Sequence, residues 1–101
     1  MVKRPIRWYF KREKEIMQRL GLTPTKGSGS GWKEKEDGYN DRVLTQLKST
    51  DASSYRITLD DINKLEYHAM VEHKAPVFII DFIKPDRLYL VVEVNNIQEV
   101  Y

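Results

Sequence analysis

Apolar positions recur along the chain with a changing period, and each change of period marks an element. Residues 6–20 carry Ile16, Met17 and Leu20, with Phe10 or Ile6, at helical spacing, and Gly21 supplies a stop. A short extended piece is expected over residues 22–25. The following Lys26-Gly27-Ser28-Gly29-Ser30-Gly31 has the composition of a linker. The residues before it are too few to form a domain, so it is read as a loop inside a single unit. A charged stretch then ends in the turn-favouring pair Asp37-Gly38. Residues 42–48 read as a strand, with Val43 and Leu44 apolar and Leu47 returning two places after Thr45. Residues 55–59 look briefly extended. Thr58 or Asp60 then caps a helix reaching about His73, with Leu59, Ile62, Leu65, Tyr67, Ala69 and Met70 as its buried positions and Pro76 as its end. The unbroken apolar run 77–83 predicts a strand covered on both faces. Pro85-Asp86 turns the chain into a last strand over 88–92, and Asn95 or Asn96 caps a final helical turn over 97–101.

The order helix, two or three strands, helix, strand, strand predicts one mixed sheet flanked by helices, an α/β or α+β domain. At 101 residues a single core is possible but small, and a partner subunit would help it. With 41% hydrophobic and 32% charged residues the chain belongs with soluble globular proteins. No apolar run approaches the roughly 20 residues needed to cross a bilayer. The basic start runs into further charge, so no secretion signal is expected. The lack of cysteine excludes disulfides and thiolate zinc sites and fits a reducing cytoplasm.

A net charge of +2 does not by itself announce a nucleic-acid partner, but its distribution is uneven. Residues 1–19 hold Lys3, Arg4, Arg7, Lys11, Arg12, Lys14 and Arg19 against Glu13 and Glu15, with Trp8, Tyr9 and Phe10 interleaved. Cations neutralise phosphates and rings stack on bases. An amphipathic helix with a solvated basic face and an aromatic anchor has the same pattern.

The candidate chemistry lies between Asp37 and Lys48. An acid stands before a strand, and nine residues later Gln46-Leu47-Lys48 stands at the strand's far end. Alternation along a strand puts Gln46 and Lys48 on one face and turns Leu47 to the other. A carboxylate from the preceding turn can meet them there. Such a set suits phosphodiester hydrolysis. Carboxylate and carbonyl oxygens hold a hard cation, which polarises a phosphate and acidifies a bound water, and a lysine stabilises developing charge.

Here the sequence resembles the PD-(D/E)XK nuclease superfamily, and within it the small Holliday-junction-resolvase-like nucleases of phages and archaea. The resemblance runs through Lys11-Arg12-Glu13-Lys14-Glu15, the Gly27-Ser28-Gly29-Ser30-Gly31 loop, Asp37 and Gln46-Leu47-Lys48. It continues with Lys48-Ser49-Thr50-Asp51, Ser53-Ser54-Tyr55 and Lys74-Ala75-Pro76-Val77-Phe78-Ile79-Ile80. It implies a restriction-endonuclease-like core and an Mg²⁺- or Mn²⁺-dependent DNA endonuclease. Asp37 would bind the metal and Lys48 would be the catalytic lysine. Glu13, one turn before Ile16 and Met17, would be the helix-borne acid, with Glu15 the fallback. Gln46 and the Leu47 carbonyl would complete the ligands. The family usually has Glu or Asp where this chain has Gln46, a ligand without charge; Asp41 is a candidate to compensate. Branched or junction DNA, a homodimer and a phage source follow from the same resemblance, which would place the protein in the host cytoplasm. DNA contacts are expected from Arg12, Lys26, Ser28, Ser30, Lys33, Trp32 and Tyr55.

Each residue also has a plainer role open to it. Asp37 before Gly38 suits a turn, Lys48 a solvated strand end, and Glu13 and Glu15 surface pairs among lysines. Trp32 and Tyr55 suit core anchors as well as stacking or phosphate contact. His68 and His73 stand five apart, which is poor spacing for a zinc pair. A non-catalytic DNA-binding module, or a protein that modulates another nuclease, is the alternative function.

Overall fold

The computed structural model describes residues 4–25 and 37–100; Lys26, Ser28, Ser30, Trp32 and Lys33, expected at DNA, lie outside these. Helix α1 (Ile6–Arg19) is followed by β1 (Thr23–Pro24), β2 (Gly38–Tyr39) and β3 (Val43–Thr50). Helix α2 (Leu59–Val71), β4 (Ala75–Phe82), β5 (Arg87–Val92) and a 3-10 helix (Val94–Glu99) complete the chain. The strands form one mixed sheet in the order β1-β2-β3-β4-β5, with β3 and β4 parallel and the other pairs antiparallel. A sheet with helices was therefore legible as a class.

The parallel pair β3–β4 is the centre, and the helices cover its two faces. Leu44, Phe78 and Ile80 pack with Leu65 and Ala69 of α2, whereas Leu47 and Ile79 pack with Ile16 and Met17 of α1. Even-numbered side chains of β3 and β4 thus face α2, and odd-numbered ones face α1. This two-sided cover explains why β4 reads as an unbroken apolar run. Helix α2 starts from a full capping box. The Asp61 backbone N–H donates to the Thr58 hydroxyl at 3.1 Å, and the Thr58 N–H donates to the Asp61 carboxylate at 3.3 Å.

Several expectations need correction. Helix α2 stops before Pro76, which sits inside β4; His73, at φ 58°, makes the left-handed exit. Leu59, Tyr67 and Met70 are exposed, as are Ile6 and Phe10 on α1, so both helices bury narrower stripes than their apolar content suggests. Residues 55–57 form no strand; Tyr55 and Ile57 pack from a loop against the α2-side core. Asp37-Gly38 enters the ladder of β2 rather than making a turn, and the reversal comes at residues 40–42. The last helical turn starts earlier, with Glu93 as the cap, through a 2.7 Å bond from the Asn95 N–H.

One close contact brings α1 against the start of β2. A Cβ on Gly38 would stand 2.4 Å from the Met17 sulfur, so a larger residue there would force the buried Met17 side chain of α1 to shift. Thr45, beneath the same sulfur, donates its hydroxyl to the Gly38 carbonyl at 2.9 Å.

Candidate functional site

The seating of α1 against β2 carries Glu13, one turn before Met17, to the end of that strand. There the Asp37 N–H donates to the Thr45 carbonyl at 2.9 Å, adding one rung to the ladder. The Asp37 side chain then takes the place that a longer strand would have filled. Its carboxylate accepts the Leu47 N–H at 2.7 Å and the Gln46 amide at 3.0 Å. Residues two apart on a strand present their backbone groups to the same neighbour, so the Leu47 carbonyl points to the Asp37 side as well.

The carboxyls of Glu13 and Asp37 hydrogen-bond each other, which requires a shared proton. Glu13 is pushed up to about 7, first by burial and then by the charge and hydrogen bond of Asp37. Glu15, two residues on, is exposed. The site therefore wraps around the sheet edge where β2 ends: Glu13 comes from the α1 layer, Gln46 from the α2 layer, and Asp37 joins them.

Lys48 shares the α2 face with Gln46. The two line a groove of about 310 Å³ with Asp61, Lys64 and His68 of α2. Lys48 helps to hold Asp61 below the usual carboxylate range, after the larger effect of the Thr58 hydrogen bonds. Asp41 lies at the hairpin turn, at the opposite end of the β2–β3 pairing from Asp37 and Gln46, and cannot replace a missing acid at Gln46. Tyr55 packs against the core cluster of the α2 face.

Arg12, expected on DNA, serves the protein's own interior. It forks onto Asp81 of β4 with two 2.6 Å bonds and reaches Asp86 at 3.0 Å. Asp81 is fully buried and also accepts the Ser49 hydroxyl at 2.8 Å. Sequence reasoning missed this cluster. Its one signal was an acid inside the apolar run of residues 77–83, where an unpaired charge would be too costly to bury. The clamp stands one residue from Glu13 and ties α1 to the centre of the sheet.

No protein-family model, curated protein or solved structure matches this chain. Its chemistry has to be argued from its own residues. Among those described, no three His, Cys, Asp or Glu side chains gather as a metal cluster, and no helix is long and apolar enough to cross a membrane. The oxygen set available to a cation is two carboxyls, one side-chain amide and one backbone carbonyl. All are hard donors, and two carboxyls sharing one proton are a pair that a divalent cation would neutralise. Residues and group fit.

Proposed function

We propose that the protein is a metal-dependent DNA endonuclease acting on branched DNA, with its centre at Glu13, Asp37, Gln46 and Lys48. The observation that carries this is the hydrogen-bonded pair Glu13–Asp37. Two acids from distant segments meet at a strand edge beside the Gln46-Leu47-Lys48 triplet. Glu13, Asp37, the Gln46 amide oxygen and the Leu47 carbonyl would hold Mg²⁺ or Mn²⁺, which supplies charge neutralisation at a phosphate and a more acidic water. Asp37 fixes its neighbours: by bonding both the Gln46 side chain and the Leu47 backbone it holds two of the donors in place. Lys48, in the adjoining groove, brings positive charge to the phosphate. Arg7, Lys11 and Lys14 stand at helical spacing on the exposed side of α1 and would neutralise flanking phosphates. The resolvase resemblance supports the further reading of junction DNA cut by a homodimer, since paired symmetric nicks need two sites related by a two-fold axis.

The test is cleavage of a synthetic four-way junction with Mg²⁺ or Mn²⁺. Asp37→Ala and Lys48→Ala are expected to lower the rate by at least about 100-fold while junction binding persists. Gln46→Glu separates a working amide from a weakened ligand, because added charge raises activity only in the second case. Binding without cleavage of any DNA form would make the protein a non-catalytic DNA-binding module. No binding even at low salt would leave a protein-interaction role.

A further inference from the structure

The two edges of the sheet are built differently. One ends in β1, two residues long with Pro24 as one of them, which is how edges are usually closed to further pairing. The other ends in β5, six residues reading Arg87-Leu88-Tyr89-Leu90-Val91-Val92. Only β4 pairs with β5 among the described residues, so a row of its backbone groups faces outward. Within 88–92 there is no charge, proline or glycine to block pairing, and Tyr89, Leu90 and Val91 are between 39% and 49% exposed. After β5 the chain does not cover this edge but turns back over the α1 face. There Val100 packs with Val43 and Val77, and Arg42 bonds Glu99 and the Gln98 carbonyl.

We propose that β5 pairs antiparallel with β5 of a second copy about a two-fold axis at Leu90, joining two sheets into one. The occupant is chosen by charge. An antiparallel two-fold normal to the sheet keeps side chains on their own face, so paired residue numbers must sum to an even value. Centring on Leu90 sets Leu88 against Val92, Tyr89 against Val91, and Arg87 against Glu93. Arg87, at the start of the strand, and Glu93, the residue after it whose carboxylate also caps the 3-10 helix through Asn95, then meet at two symmetric places. Centring on Tyr89 or Val91 instead sets Arg87 against Val91 or Asn95 and matches neither charge. The strand is its own complement in one register only. The pairing keeps both copies of α1 on one face and both copies of α2 on the other, and it leaves the Glu13–Asp37 site, at the far edge, open.

The inference does not depend on the nuclease reading, and its test needs no DNA. Sedimentation velocity should show a dimer for the wild type at micromolar concentration. Arg87→Glu sets Glu against Glu, and Glu93→Arg sets Arg against Arg; each is expected to weaken self-association roughly ten-fold or more, since like charges opposite one another repel at two symmetric places. Mixing the two variants restores opposite pairs at both ends, so the mixture should form a heterodimer tighter than either homodimer. Leu90→Lys should give a monomer with an unchanged circular dichroism spectrum, because the side chain lies at the surface. A wild-type monomer at tens of micromolar would overturn the proposal. So would a dimer indifferent to Leu90→Lys, or a charge-variant mixture no tighter than its components.

Discussion

Glu13 is half-buried beside another acid, and its behaviour with pH follows from that position. A carboxyl raised to about 7 in the fold, against an ordinary value near 4.5, binds its proton more tightly folded than unfolded. Its stabilising contribution is therefore complete below about pH 4.5 and disappears as pH rises through 7. Urea midpoints of the wild type should fall between pH 5 and pH 8, and Glu13→Gln, which cannot titrate, should fall less. Equal slopes would mean that the two carboxyls do not share a proton. Addition of Mg²⁺ at pH 8 should recover part of the loss in the wild type and little in Glu13→Gln. Much of this site was legible residue by residue. Strand alternation put Gln46 and Lys48 on one face, while Asp37 and the helix-borne acid came from the family resemblance, with Glu13 preferred over Glu15 by its register with Ile16 and Met17. What the sequence could not reveal is that Asp37 caps the Leu47 N–H, because that depends on β2 being only two residues long.

Elements were read more reliably than their surfaces. Helix α1, its glycine stop, the Thr58 cap and the two long strands follow from period and punctuation. The buried stripes were drawn too wide, because apolar content does not say which neighbour an element meets: Leu59, Tyr67 and Met70 sit on α2 with nothing above them among the described residues. The Arg12–Asp81 clamp was invisible for the same reason, since its partners lie 69 residues apart. Removing one member should be worse than removing both. Arg12→Ala leaves the buried Asp81 carboxylate with the Ser49 hydroxyl and no cation, a loss of roughly 3 kcal/mol. The double variant Arg12→Met, Asp81→Leu should recover much of that by replacing charge with packing. Chemical denaturation of the two singles and the double measures it. A double variant as unstable as the sum of its singles would show that the two side chains are not coupled, and one no more stable than the worse single would show that the ion pair does more than cancel its own desolvation.

At the scale of the molecule, the small hydrophobic core is organised around β3 and β4, and everything else is laid on that pair. Every residue of β3 pairs with the one 32 places later, 43 with 75 through 50 with 82. The clamp from α1 lands on β4 from 69 residues away along the chain. An order of events in folding is expected from this difference in separation. The β3–α2–β4 segment closes the shorter loop and is the natural nucleus, while the clamp is added afterwards. Leu65→Ala, inside the nucleus, should slow refolding. Arg12→Ala should leave refolding nearly unchanged and hasten unfolding, a contrast that stopped-flow measurements in urea resolve. If Arg12→Ala slows refolding as much as Leu65→Ala does, α1 belongs to the nucleus. A late clamp means that Glu13 reaches its seat beside Asp37 only after the sheet is complete, so the Glu13–Asp37 pair is a mark of the finished fold and is absent from a half-folded chain.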